Sequence, residues 1–439
     1  MSYSSVGAVR STESNRDERG RRPLDAPARP ARSHSVAELL REDRLVPYFQ
    51  PILSARQRAI IGLEALMRAE LPDGTVLGAP ALLHQALVEG HLADLERRAV
   101  EKAIERFACL PDRREDHVLF VNLGSTLTED HDGVTPWLVS QVEAHGLNTR
   151  QVAIEILENR IDDLHELRTL IESFRREGFL LVLDDVGTGH SNLDRIPLLK
   201  PDILKVDRSL VHGIDEDFHK QETFQSLVSL CRRIGALVVA EGLETERQAV
   251  AALALGADLL QGFLLGRAEE DLGILQHQPA TAQMDIDSLA QRFKAYMVEE
   301  INQRKVRHRR YNILLNEVLC LLAGSPVEEF DEILKVAVAT YPSVECFYVL
   351  DGAGIQITET VWNPALARRA STPIFRPAPR GTDHSLKEYY YVLLDVELQK
   401  YTTEPYVSFA SGNLGRTIST YFRDATNHSL YILCIDVLA

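Results

Sequence analysis

Acidic and amide side chains recur at the downstream ends of short apolar runs in this chain. Asn122 follows VLFV, Glu155 sits within VAIEI, Asp184 and Asp185 follow LLVL, Lys205 lies in ILKVD, Glu241 follows LVVA, and Gln261 follows ADLL. With Glu64 and Glu244 added, the set holds six carboxylates: Glu64, Glu155, Asp184, Asp185, Glu241 and Glu244. Like charges gathered at one place do not all stay ionised unless cations lie among them. Oxygen donors without His or Cys select Mg²⁺ or Mn²⁺ over zinc. Two such ions about 4 Å apart can bind a phosphodiester, activate water and stabilise the leaving oxygen, so phosphodiester hydrolysis is the chemistry that fits. Any one of these residues has a plainer use, because an Asp after a strand commonly caps a helix and an Asn forms a turn. Repetition at successive run ends is what favours a site. The stretches VVAEGLE and LVLDDVGTG match neither phosphate-cradling glycine pattern, GxGxxG or GxxxxGKS/T.

Such run ends meet only if the runs are strands of one sheet closed on itself. The apolar runs Pro47 to Ile52, Ala59 to Met67, Val118 to Asn122, Val152 to Ile156, Leu180 to Leu183, Ile203 to Val206, Leu237 to Ala240 and Ala257 to Leu260 read as strands. Asp94 to Ala108, Asp162 to Arg176, Gln221 to Ile234 and Glu244 to Leu255 carry apolar residues at helical spacing between them. Eight strands with intervening helices in about 250 residues have the rhythm of an α/β fold, the (β/α)8 barrel, whose sites lie at the strands' C-terminal ends.

The barrel is expected over residues 36–278, after a Pro-, Ser- and Arg-rich tail, 1–35, that has no apolar periodicity. A linker helix is expected over 279–323. Its basic patch, Arg304 to Arg310, reads as a solvated face. Residues 324–439 then read as a smaller α+β domain on an antiparallel sheet, with strands at Cys346 to Leu350, Tyr406 to Ala410 and Leu430 to Val437. His384, Lys387, Tyr389 and Tyr390 are candidates to line a pocket there for a small ligand.

Lysine and arginine number 48 against 64 aspartates and glutamates, a net charge of −16, so no general field for DNA exists. Five scattered cysteines form no CxxC pair and are expected to be buried free thiols in a reducing, cytoplasmic setting. No uncharged apolar stretch is long enough for a membrane span.

The segments PYFQPI, EALMR, VNL, IEILE, DDVGTGHSNL, DILKVDRSLV, AEGLET and QGFLLGR occur in this order between Pro47 and Arg267. On them the sequence resembles the EAL family of cyclic di-GMP phosphodiesterases, named for the tripeptide present here as Glu64-Ala65-Leu66. The resemblance implies that Glu64, Asn122, Glu155 and Asp184 bind one ion, with Asp184 shared and Asp185 on a second. Glu241 and Gln261 would reach the ions or their waters, Glu244 would steady that network, and Lys205 would orient the attacking water. Gln50, Leu66, Arg68 and Asp207 match substrate-contacting positions, and Glu158 a position bracing the loop after Asp185. The implied product is linear 5′-pGpG, made by a homodimer. That loop departs from the family's usual DDFGTGYSSL at Val186, His190 and Asn192, while Gly124 and Leu157 replace a Ser and a Thr. With these changes a second reading is a receptor that binds the nucleotide without cleaving it. No GGDEF motif is present, and the C-terminal part resembles, more loosely, PAS/Cache-like sensory modules.

Overall fold

A computed structural model describes residues 35–124, 126–127, 133–156, 164–187, 195–270, 282–366, 375–396, 398–425 and 428–438. These form two compact units that divide between Met297 and Val298.

In the first unit α1 (Val36–Arg41) starts on a capping box, in which Ser35 and Glu38 satisfy each other's backbone N–H groups. The strands are β1 (Leu45–Ser54), β2 (Ala59–Glu70), β3 (Val76–Gly78), β4 (Val118–Leu123), β5 (Val152–Ile156), β6 (Leu180–Val186), β7 (Ile203–Val206), β8 (Leu237–Ala240) and β9 (Leu259–Leu260). Between them lie α2 (Ala79–Glu89), α3 (Leu92–Ala108), α4 (Val134–Ala144), α5 (Leu164–Glu177), α6 (Arg195–Leu199), α7 (Arg208–Val211), α8 (Phe218–Ile234) and α9 (Glu246–Leu255).

The sheet runs β1-β9-β8-β7-β6-β5-β4-β2 and closes through β1–β2, giving an eight-stranded barrel with β3 as a ninth strand beside β2. One strand departs from the regular (β/α)8 pattern: β1 lies antiparallel to both β2 and β9. Only Ala55 to Arg58 connect β1 to β2, and a parallel crossover needs a dozen residues or more, so the first two strands must form a hairpin.

The barrel interior is filled by one residue from each of seven strands: Ile52, Phe120, Ala153, Val182, Ile203, Val239 and Leu259. Gly62 of β2 makes room for this layer, because a Cβ there would sit 2.6 Å from the Phe120 ring. The opposite strand faces pack on the helices through a larger apolar cluster that includes Leu119, Ile154, Leu181, Leu204, Val238, Phe107, Phe174 and Phe224. Side chains alternate along a strand. The next inward-facing position beyond each filler is therefore two residues further along.

α10 (Ile286–Ala323) spans the division. Its start contributes Leu289, with Ile286 and Phe293, to the barrel's apolar cluster, and its end contributes Leu314, Leu315, Val318 and Leu322 to the core of the second unit. Residues 301–310, including the basic patch, are exposed.

The second unit is an antiparallel sheet ordered β11-β10-β15-β14-β12, from β10 (Val344–Asp351), β11 (Val361–Trp362), β12 (Lys400–Thr402), β13 (Tyr406–Val407), β14 (Leu414–Arg423) and β15 (Leu430–Leu438), with β13 also on β14. α11 (Phe330–Thr340) covers one face through Phe330 and Leu334. α12 (Glu388–Asp395) covers the other through Tyr389 and Leu393.

Two expectations are corrected here. Cys109 and Cys320 are exposed, while Cys231, Cys346 and Cys434 are buried. Cys109 is the cap residue past the end of α3, beyond its buried stripe, and Cys320 sits on the outer side of α10. The run Tyr406 to Ala410 pairs over only Tyr406 and Val407, because the chain turns at Ser408, whose N–H donates to Asn413 O and whose O accepts from Gly412 N. Among the described residues no helix is long and apolar enough to cross a membrane.

Candidate active site

Gly62 and the six fillers on the parallel strands are each followed two residues later by a polar group: Gly62 by Glu64, Phe120 by Asn122, Ala153 by Glu155, Val182 by Asp184, Ile203 by Lys205, Val239 by Glu241 and Leu259 by Gln261. On antiparallel β1 the order reverses, and Gln50 precedes Ile52. One layer of the barrel is thus apolar and the next is polar and largely ionisable.

Lys205 stands at the centre, 1% exposed. Its Nζ lies 2.7 Å from Glu155 Oε1, 2.7 Å from Glu241 Oε1, 3.1 Å from Glu64 Oε2 and 3.5 Å from Asp184 Oδ1. Gln261 Nε2 donates to Glu64 Oε2 at 2.5 Å, and Asn122 Nδ2 donates to Glu64 Oε1 at 3.4 Å. Gln50 Nε2 donates to Gly266 O at 3.0 Å, which fixes its amide beside Gln261. Asp185 turns into the left-handed region, φ +56°, while its N–H donates to Asp184 Oδ1 at 2.9 Å. Strain of this kind is retained where surroundings impose it. Gly242 and Gly262 hold the loops close: a Cβ on Gly262 would sit 2.2 Å from Leu243 N, and Gly242 has φ +65°.

Four carboxylates surround one ammonium and Asp185 adjoins Asp184, so the bowl is short of positive charge. Burial, then Glu64, pushes the Glu155 carboxyl well above its usual range. Burial, then Asp184 and Asp207, lifts Asp185 to about 6. Burial, with Asp184 and Glu241's other anionic neighbour Glu64 outweighing Lys205, lifts Glu241 to about 8. Burial opposes ionisation of Glu64 too, but Lys205, Gln261 and Asn122 overcome it and hold Glu64 below its usual value. Burial disfavours charge on Lys205, yet four carboxylates keep it firmly protonated.

The donor set suits hard divalent cations. Asp184, Asp185 and Glu241 each offer an oxygen within 4.8 Å of the others. Glu155, fully buried, has an Oε2 with no hydrogen-bond partner among the described residues. An unpartnered buried carboxylate oxygen is costly, and a cation of the kind oxygen donors select would satisfy it.

Two adjoining cavities, of about 430 and 240 Å³, share Glu64, Leu66, Asp184 and Asp185 in their walls. Arg68 stands in the larger lobe, its Nη1 donating to Met67 O at 2.9 Å. Other expected residues are placed differently. Asp207 is the N-cap of α7, accepting from Ser209 N, and does not line either lobe. Glu244 lines the smaller lobe but pairs with Arg208 at 2.8 Å rather than with the central carboxylates. Glu158 and residues 188–194 of the loop after Asp185 lie outside the described residues. Arg208 and Phe263, not anticipated from sequence, line the smaller lobe. Each sits one to three residues beyond a strand end, in DRSLV and QGF, and that position was the available signal.

The EAL domain matches residues 33–268. The EAL-domain containing protein YkuI of Bacillus subtilis is 25% identical over 391 residues, 86% of this chain and 91% of that protein. The bifunctional diguanylate cyclase/cyclic di-GMP phosphodiesterase MucR of Pseudomonas aeruginosa is 29% identical over 236 residues, 53% of this chain but only 34% of MucR. The crystal structure of YkuI with its substrate c-di-GMP and calcium superposes with a TM-score of 0.76 at 22% identity, covering 92% of this chain and 99% of that one, so the fold is shared across both units. A match over more than half of its residues, at the segment that builds the carboxylate bowl, means that the chain belongs to the EAL domain family.

Proposed function

We propose that the barrel is a phosphodiesterase that hydrolyses cyclic di-GMP to linear 5′-pGpG with two Mg²⁺ or Mn²⁺ ions. The observation that carries this reading is the set of four carboxylates, Glu64, Glu155, Asp184 and Glu241, around Lys205 at the barrel's strand ends, with Asp184, Asp185 and Glu241 each offering an oxygen within 4.8 Å of the others. Its family membership, and the cyclic di-GMP named for YkuI and MucR, point to the same substrate.

Glu64, Asn122, Glu155, Asp184, Asp185 and Glu241 hold the ions, which when bound supply Lewis-acid activation of phosphate and water. Lys205 keeps its ammonium among four carboxylates and orients the water for attack on one phosphorus. Gln261, anchored on Glu64 and Gln50, fixes the geometry around it. Leu66 offers an apolar shelf between the lobes, and Gln50 and Arg68 contact the nucleotide. Glu244 holds Arg208 in the smaller lobe, where the guanidinium faces phosphate. One water adds across one P–O3′ bond, leaving a 3′-hydroxyl and a 5′-phosphate. Two lobes meeting at the carboxylates suit a substrate with two bases joined through two phosphates. The second unit acts as a sensory module, and the chain works as a homodimer.

The test is incubation of the purified protein with cyclic di-GMP and Mg²⁺ or Mn²⁺, with products separated by chromatography. A single product with the mass of pGpG is expected. Bound but intact nucleotide would make the protein a receptor instead.

A further inference from the structure

The second unit contains a cavity of about 620 Å³ that the proposed hydrolysis does not use. That volume lies within the range of sites for small organic ligands. Asp436 of β15 lines it and is only 5% exposed. Its Oδ1 accepts from Thr417 Oγ1 at 2.6 Å and its Oδ2 from Cys346 Sγ at 3.3 Å. Among the described residues no Lys or Arg makes an ion pair with it. Burial lifts its carboxyl to about 6, so at neutral pH it is still mostly an anion. A buried anion without a counter-charge is unfavourable.

The histidine nearby does not supply that charge. His384 Nε2 lies 3.0 Å from Gln356 Oε1, and the amide Nε2 of Gln356 donates to Thr358 O, so the imidazole is the donor on this side. Its Nδ1 lies 2.6 Å from Tyr389 OH, from which a neutral ring accepts. Burial agrees, pushing the imidazole down to about 4. Tyr348 stacks on His384 with centroids 5.4 Å apart, and Tyr389 meets Tyr348 edge to face at 6.2 Å. Tyr406 closes the same wall. Aromatic faces beside a carboxylate favour an organic ammonium.

The rim is of mixed charge, with Lys387 and Arg376 beside Asp383, Glu388 and Glu404. Lys387 is exposed, its Nζ 5.8 Å from the Phe409 ring centroid, and α12 begins after it without a side-chain cap. Uncapped helix amides beside a lysine favour an anion. The rim's own carboxylates are partly engaged: Asp383 accepts from Ser385 N, and Glu388 from Tyr401 OH.

We infer that this cavity binds a small zwitterion of the amino-acid type, its ammonium on Asp436 among the tyrosine rings and its carboxylate toward Lys387 and the start of α12. The test is calorimetric titration of the full chain with glycine, valine, glutamine and arginine, beside ethylammonium and acetate as single-charge probes. At least one amino acid should bind saturably while both single-charge probes fail at the same concentration. Asp436→Asn should weaken that binding about ten-fold or more, and Lys387→Ala, at an exposed position that leaves the core intact, about three- to ten-fold. Absence of binding by all four amino acids, equal binding by ethylammonium or acetate alone, or unchanged affinity in Lys387→Ala would overturn the inference. The readout is heat of binding, so it stands or falls independently of nucleotide hydrolysis.

Discussion

Within the bowl the carboxylates are not equivalent, and the difference can be measured. Glu64 is held ionised by Lys205, Gln261 and Asn122, whereas Glu155 is held toward its neutral form by burial and by Glu64. Glu64→Gln and Glu155→Gln should each lower turnover by about a hundred-fold or more, since ligands matter at least as much as the groups that orient them. Their melts in chelator should differ in sign. Glu64→Gln should cost about 1–2 kcal/mol by weakening charge-assisted hydrogen bonds, and Glu155→Gln should be neutral or stabilising. Hydrolysis rate beside a thermal melt checks both, and a shared sign would break the distinction. The pH dependence follows from Asp185 at about 6 and Glu241 at about 8. Both are raised above their unfolded values, so the folded chain binds more protons in that window. Stability of the metal-free barrel should fall as pH rises from about 4 to 6 through Asp185 and on to about 8 through Glu241, by up to ~1.4 kcal/mol per unit for buried Glu241 and less for the half-buried Asp185, and saturating Mn²⁺ should flatten the slope. A pH series of melts with and without the ion measures this.

Strand ends were legible in the sequence because strands buried on both faces read as continuous apolar runs, as in VAIEI, whose five residues are all buried. The site was legible for the same reason, since a polar residue ending such a run must enter the barrel or its mouth. Strand direction was not, because an apolar run carries no arrow, although the four residues from Ala55 to Arg58 already forbid a crossover. β14 carries no continuous apolar run to mark it, because LGRTISTYFR buries Ile418 and Phe422 on one face while Thr417 and Ser419 are the buried groups on the other. Asp207 was misread for a physical reason as well: a carboxylate directly before a helix is used as its cap. At this scale α10 makes its own prediction. Its exposed stretch carries Val298, Ile301 and Val306, which are 51, 46 and 49% exposed. Apolar residues repeated on a long solvated helix call for a partner surface. We expect two copies of α10 to pair there, so that Val298→Glu, Ile301→Glu and Val306→Glu together halve the mass in light scattering and leave the barrel's melt in place. Unchanged mass would leave α10 as a tether only.

Across the whole molecule, the proposed function has a chain of net charge −16 take up a doubly anionic dinucleotide. Lys205, Arg208 and Arg68 cannot offset that alone, so binding as well as chemistry should depend on divalent ions. Ion size should then matter. Ca²⁺ accepts looser, larger shells than Mg²⁺, so it should hold the nucleotide while inhibiting turnover, and equal rates in the two ions would count against a tightly fitted centre. The most direct measurement is the rate of pGpG release after exhaustive chelation, followed by graded return of Mn²⁺. No product is expected without metal, and the rate should rise with more than first-order dependence on Mn²⁺ before saturating, as two ions fill the site. A rate that survives chelation, or nucleotide that binds and is never cleaved at any Mn²⁺ concentration, would contradict that expectation.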